Sequence, residues 1–329
     1  MSEERNDGTG GIIDVDLLAF ERGGPEQRRA VVDGVRRSLG SGFVYTSHDL
    51  SEDLLDTAYA MLAEFFALPS TAKARWAAPE THGQTGYTGL LVETAATSDV
   101  ADWKEMLNWG VDVPAAHPLR TRYPHRYAKQ VLPEDDVPGI TAVLTEFQDR
   151  LLDLQRRFLR VVALGLGCHE AFFEDVLVDG STLTRAIHYP PMQDAPKAGH
   201  VWAGAHADIN LITALPRATG RGLQLRQGDE WVDVVAPEGK VVLNSGIMLA
   251  RLTNGLIPAG VHRVVAPPGS DDLPAGDRYS VVQFCHPAPW FVLTPLASCV
   301  TPEHPQRYGA IEAGDLLDRV LWEINLIRD

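Results

Sequence analysis

Two histidines and one aspartate hold the chemistry that can be read first in this chain. His206-Ala207-Asp208 places an imidazole and a carboxylate two residues apart, and His262 lies 54 residues beyond the aspartate. On an extended segment His206 and Asp208 point the same way. Two imidazoles and a carboxylate can occupy one face of an octahedral Fe(II), leaving the opposite face for a co-substrate and O2. Sixteen residues past His262 comes Arg278-Tyr279-Ser280. Strand alternation puts the guanidinium and the hydroxyl on one face, where together they form a clamp for a carboxylate. A metal face plus a carboxylate clamp implies an iron enzyme that consumes a keto acid. Zinc also accepts two histidines, an aspartate and a water, but a zinc hydrolase has no use for the clamp.

These residues need strands to carry them. After residue 180, short apolar runs alternate with turn residues at 182–189, 208–215, 222–226, 231–235, 240–244, 261–266, 278–285 and 290–294. Such spacing predicts a closed or sandwiched β structure rather than a βαβ fold. Before residue 180 the pattern is mainly helical. Ile12–Val15 reads as a short strand, Pro25–Leu39 as a helix and Gly42–Thr46 as a second strand. Ser51 caps a helix with the stripe Leu54, Leu55, Ala58, Met61, Leu62, Phe65 and Phe66, ended by Pro69. A long helix is expected from about Ile140 to Leu164, and a last one over Ala313–Ile327. The expected organisation is a flexible tail (1–10) and a single domain (11–329). That domain divides into an α-rich region (11–175), a β core (180–296) and a C-terminal helical segment (297–329).

The chain has 329 residues, of which 45% are hydrophobic, enough for a large core. Its net charge of -15, without a Lys/Arg-rich run, repels phosphate backbones and anionic membranes. No nucleic acid and no membrane are therefore expected as partners. Cys168, Cys285 and Cys299 are few and lack metal-site spacing, as in a reducing cytosol. The polar start lacks the apolar core of a signal peptide, and a cytoplasmic protein is expected. Oligomeric state is not legible.

A series of further motifs runs in order along nearly the whole chain. It comprises Ser41–His48 (SGFVYTSH), Phe65–Pro69 (FFALP) with Lys73, and Gly86-Tyr87 followed by Asp102–Glu105 (DWKE). Arg185–Pro191 (RAIHYPP) follows, then His206–Asp208 with Leu211–Thr213, and Gly222–Leu225 with Trp231 and Val234. Val242–Gly246 with Thr253–Gly255, His262–Val264, Arg278–Ser280 and Phe284–Pro287 complete it. The series resembles the isopenicillin N synthase-like family of Fe(II)/2-oxoglutarate dioxygenases. The resemblance implies a mainly β fold with flanking α structure: a double-stranded β-helix, or jelly roll, with an α-rich N-terminal part and a C-terminal helix.

It also implies His206, Asp208 and His262 as iron ligands. Arg278, Ser280 and Tyr189 would bind the distal carboxylate of 2-oxoglutarate, with Fe(II), 2-oxoglutarate and O2 as cofactor and co-substrates. The implied reaction yields succinate and CO2 while an unactivated C–H bond of a small molecule is hydroxylated, desaturated or cyclised, as in amino-acid or specialised metabolism. Phe284, and Trp202 with the Tyr87-Thr88 pair as a lid, are the expected substrate contacts. Arg185 is assigned a structural carboxylate, and Trp103 and Trp290 packing. Three positions depart from the family pattern. Ile187 stands where an Asn is usual, Ile247 where an Asp is usual, and 267–277 (PPGSDDLPAGD) lengthens a loop. Ile187 keeps open an oxidase that uses no keto acid, and ethylene-forming breakdown of 2-oxoglutarate is a further alternative.

Overall fold

The computed structural model describes residues 12–94, 100–196, 200–266 and 277–323. The expected tail, most of the 267–277 loop and the end of the last helix lie outside these. In chain order the strands are β1 (Ile13–Val15), β2 (Phe43–Ser47), β3 (Gly86–Thr88), β4 (Glu105–Gly110), β5 (Leu183–Tyr189), β6 (Ala203–His206) and β7 (Ile212–Leu215). They continue with β8 (Leu223–Gln227), β9 (Glu230–Asp233), β10 (Lys240–Ser245), β11 (His262–Val264), β12 (Arg278–Cys285), β13 (Val292–Leu293) and β14 (Ile311–Glu312). The helices are α1 (Leu17–Arg22), α2 (Pro25–Ser38), α3 (Glu52–Phe66), α4 (Ser70–Lys73), α5 (Pro118–Arg122), α6 (Ile140–Gly165), α7 (Phe172–Val176), α8 (Ile247–Leu252) and α9 (Ala313–Glu323).

Two sheets form the β core. The larger runs β1-β2-β10-β7-β12-β5-β4-β3, and the smaller β6-β11-β8-β9. Between them lies an apolar layer drawn from both, including Tyr45, Ile187, Val242 and Val282 from one side and Ala203, Leu225 and Val264 from the other. Alternation on the larger sheet then sorts every side chain. On β12, Arg278, Ser280, Val282 and Phe284 face the smaller sheet, while Val281 and Cys285 join the layer under the helices. This is the jelly roll expected from the sequence, with helices covering the outer face of the larger sheet.

That helical cover is built by α2, α3 and α6. Ser51 caps α3 by accepting from the Leu54 amide at 3.3 Å, as its position predicts. The amphipathic α6 presents Leu151, Leu154, Phe158 and Val162, all buried, to the sheet. Its one fully buried amide side chain, Gln155, donates to the carbonyls of Ile212 and Gln283 at 3.1 and 3.0 Å. The helix is thereby fixed against β7 and β12, which carry site residues.

The expected strand 208–215 begins only at Ile212, because 208–211 form a turn. Tyr87 and Thr88 lie in strand β3 at the sheet edge, paired with β4, not in a loop. Strand β4 itself was not expected, since Glu105 and Asn108 break its apolar pattern. Both are buried and partnered, Glu105 by Lys73 at 2.7 Å and Asn108 by Arg185 at 2.7 Å.

Two glycines let β2 and the approach to β11 nearly touch. A Cβ on Gly42, whose φ is +79, would lie 2.6 Å from Gly260 Cα, and one on Gly260 would lie 2.5 Å from Phe43 Cε2. Gly260→Ala is therefore expected to cost about 1–3 kcal/mol through overpacking, read as a lower denaturant midpoint. Gly34→Ala, in α2 with nothing near its Cβ, is expected instead to raise stability by about 0.5–1 kcal/mol.

Candidate metal centre and adjoining cavities

Antiparallel pairing brings the two histidines together. His206 ends β6 and is the direct cross-strand partner of His262 on β11, with ring centroids 4.4 Å apart. Asp208 follows in the turn, its Oδ1 3.7 Å from His206 Nε2. One ligand atom from each of the three residues falls within 4.8 Å of the other two.

Neighbouring groups fix each potential ligand. His206 Nδ1 donates to the Gly204 carbonyl at 2.8 Å, and His262 Nδ1 to that of Gly260 at 3.0 Å. Both Nε2 atoms are thus unprotonated lone-pair donors when the rings are neutral. Enclosure in the cleft, with His262 beside it, pushes His206 down to about 4, so its ring is neutral near pH 7. Burial opposes the Asp208 charge, but the two imidazoles and two hydrogen bonds hold its pKa below the ordinary carboxylate value. Those bonds come from Thr213 Oγ1 at 2.5 Å and Asn244 Nδ2 at 2.9 Å, both to Oδ2. Oδ1 is left facing the histidines.

A chain of contacts supports this centre from the segment just before β4. Asp102 Oδ1 accepts from the Gly204 amide at 2.9 Å, and the same glycine's carbonyl anchors His206. Asp102 Oδ2 in turn accepts from Lys104 at 2.9 Å. The DWKE segment thus supports β6 through Asp102, while Glu105 turns to Lys73 and His188.

Two cavities meet at the centre. The smaller, about 60 Å³, runs between the sheets past Ile187, Tyr189, His262 and Ser280 to Arg278. Arg278 opens β12 opposite Tyr189, and its guanidinium lies over that ring at 4.8 Å. Nε donates to the carbonyls of Gly220 and Arg221 at 3.1 and 3.0 Å. Nη1 is buried and has no hydrogen-bond partner, and Arg278 pairs with no carboxylate among the described residues. Burial pushes its pKa down, as expected for a cation deprived of water.

The larger cavity, about 360 Å³, opens on the other side of His206 and Asp208. Its walls include Glu93, Lys104, Arg185 and Phe284, with Leu317, Val320 and Leu321 of α9. Phe284 borders both cavities.

The other expected contacts fall elsewhere. Trp202 is buried between the sheets, donates to the Pro190 carbonyl at 2.9 Å and packs on Tyr189, so it supports the Arg278 end of the smaller cavity without lining either cavity. Tyr87 donates to Glu105, and Thr88 accepts from Asn108 at 3.3 Å. Strand pairing at the sheet edge holds both away from the two cavities, and neither forms a lid. Arg185 does find a carboxylate, Glu93, but in the cavity wall. Lys104, Glu93, Asn244 and the α9 face were not singled out from the sequence. The charges of DWKE and the asparagine of Val242–Gly246 were the signals available for two of them.

Comparison with known proteins agrees with this geometry. Residues 12–135 match the family described as non-haem dioxygenase in morphine synthesis, N-terminal, and residues 180–287 match the 2OG-Fe(II) oxygenase superfamily. A 2OG-Fe(II) oxygenase family protein from Caulobacter crescentus has a similar solved structure, with 33% identity, TM-score 0.81, and coverage of 95% of this chain and 99% of that one. A full-length Neurospora crassa protein, solved in complex with alpha-KG and thymine, is 25% identical with TM-score 0.81, covering 94% of this chain and 96% of that one. A 2-oxoglutarate-Fe(II) type oxidoreductase of Metarhizium rileyi is 29% identical over 91% of this chain and 87% of its own.

Asn244→Leu and Thr213→Val each remove a hydrogen bond from Asp208. Each is expected to weaken metal binding about 10–100-fold, measured by competition with a chelating dye, while circular dichroism stays unchanged.

Proposed function

The chain belongs to the 2OG-Fe(II) oxygenase superfamily, and from that membership we propose that His206, Asp208 and His262 hold its iron while Arg278, Ser280 and Tyr189 receive the far carboxylate of 2-oxoglutarate. The protein is an Fe(II)- and 2-oxoglutarate-dependent oxygenase acting on a small molecule. The donor set fits Fe(II): two imidazoles and a carboxylate on one side, an open cavity on the other. The observation that carries the keto-acid assignment is the buried, unpartnered Nη1 of Arg278. A guanidinium is kept in such a place when an anion completes it.

When bound, iron and 2-oxoglutarate would supply, with O2 as the oxidant, the oxidation of an unactivated C–H bond, one oxygen atom going to the succinate formed with CO2 from the keto acid. The chain's own residues position and exclude. Arg278 neutralises the carboxylate and orients it, and Ser280 and Tyr189 add hydroxyls beside it. Ile187, Leu215, Leu223 and Val264 wall the smaller cavity with hydrocarbon, which keeps water from competing for the guanidinium. Phe284, on the border of the two cavities, faces the substrate. Ile187, in the wall of the smaller cavity, offers the keto acid no polar contact. A keto-acid-independent oxidase is not favoured by relatives named for 2-oxoglutarate, and ethylene-forming breakdown is not favoured by a relative solved with a second small molecule beside alpha-KG.

The α-rich region, the sheets and α9 act as one catalytic domain on this reading, since α6 and α9 share one apolar core with the larger sheet. Net charge -15 argues against a nucleic-acid polymer as partner. Among the described residues no helix is long and apolar enough to cross a membrane. Three free thiols support a reducing, cytoplasmic setting.

Anaerobic titration of the Fe(II)-loaded protein with 2-oxoglutarate is expected to produce a weak visible charge-transfer band. In Arg278→Ala the band should require at least about 100-fold more keto acid, the scale of losing a buried charge pair. An unchanged titration in that variant would refute the clamp.

A further inference from the structure

The larger cavity carries an ionic wall whose cations, Lys104 and Arg185, also border the smaller cavity, while Glu93 lines the larger one alone. Glu93 lies at its centre, with Oε1 3.1 Å from Arg185 Nη1 and Oε2 3.1 Å from Lys104 Nζ. Lys104 is also held by Asp102 at 2.9 Å, and Arg185 Nε donates to Asn108 Oδ1 at 2.7 Å. The Glu93 side chain is 12% exposed, and those of Arg185, Lys104 and Asp102 are 14%, 9% and 5%. This is a protected network, not a solvated surface pair. Burial disfavours the charge of Glu93, yet Arg185 and Lys104 hold its pKa at about 2. Besides His206 and Asp208, the other titratable groups lining the cavity, His82 and His286, are both shifted down by burial. Facing this wall are the side chains of Ile247, Phe284, Leu317, Val320 and Leu321.

We propose that Glu93 determines substrate specificity, selecting small molecules that present an ammonium or another N–H or O–H donor and disfavouring carboxylates. The proposal rests on the reading above that the larger cavity receives the substrate. Two cations and two carboxylates already balance in the wall. An incoming carboxylate therefore meets cations that already hold anions and comes to rest beside Glu93, desolvated and repelled. A donor meets the opposite situation. Each carboxylate oxygen accepts about two hydrogen bonds, and among the described residues Oε1 is paired with Arg185 alone. Arg185 and Lys104 hold the acceptor in place before the ligand arrives, which reduces the ordering cost of binding. The hydrocarbon body of the ligand packs on the α9 side. The space, about 360 Å³, equals the volume of roughly a dozen waters, which suits a compact molecule.

Three probes with one shared body test this: 3-phenylpropylamine, 3-phenylpropan-1-ol and 3-phenylpropanoate. Each is titrated calorimetrically into the anaerobic protein loaded with Fe(II) and 2-oxoglutarate. The amine is expected to bind tightest and the acid weakest, at least about tenfold apart. In Glu93→Gln, Arg185 and Lys104 lose one of their two anions, and the acid is expected to overtake the amine. An acid bound as tightly as the amine by the wild type, no amine binding, or an unchanged order in Glu93→Gln would each overturn the proposal. If that variant does not fold, the wild-type order decides alone. The Fe(II)/2-oxoglutarate band is recorded before any probe is added. Its absence counts against the functional reading, whereas its presence without charge selectivity counts against Glu93.

Discussion

Arg278 is the constraint around which this structure is arranged. Its guanidinium is buried with only backbone carbonyls on Nε and nothing on Nη1. Such a group costs several kcal/mol unless a counter-charge completes it. The fold does not supply that charge among its described residues. It supplies instead a narrow apolar channel leading from Arg278 to two imidazoles and a carboxylate. The cation at one end and the metal ligands at the other match the two ends of a dicarboxylic keto acid. On the proposed reading, binding of the co-substrate completes an electrostatic arrangement that the chain leaves open.

Holding that arrangement requires rigid backbone on both sheets. On the smaller sheet, direct pairing of His206 with His262 sets the distance between the rings, and the carbonyls of Gly204 and Gly260 set their orientation. Gly260 keeps its place because Gly42 allows β2 to approach. Gly204 keeps its place through Asp102. On the larger sheet, α6 is tied to β7 and β12 by Gln155, so the elements bearing Thr213 and Arg278 share one support. The same Lys104 that pairs with Asp102 also pairs with Glu93, which links the wall of the larger cavity to the segment that holds His206.

Residues whose chemistry is rare in a core were legible from the sequence. His206, Asp208, His262, Arg278 and Ser280 stood out by type and spacing, and alternation placed the last two together. The jelly roll followed from many short strands together with the motif series. Strand β4 was hidden because its buried Glu105 and Asn108 are satisfied by Lys73 and Arg185, partners that sequence patterning does not reveal. Aromatic residues near motifs misled for a related reason. The position of Trp202 or Tyr87 along the chain does not say which side of the strand faces the cavity, and in both cases neighbouring packing took the ring. Glu93 escaped notice because the residue that makes it significant, Arg185, lies 92 positions away.

The central claim is that the triad and Arg278 bind opposite ends of one co-substrate. The most direct measurement is a crystal structure of the protein loaded with Mn(II) and 2-oxoglutarate. The account predicts the metal bound by His206, Asp208 and His262, with the far carboxylate within hydrogen-bond distance of Arg278 Nη1 and Ser280 Oγ. A keto acid bound with its far carboxylate away from Arg278, or a metal bound elsewhere, would contradict it.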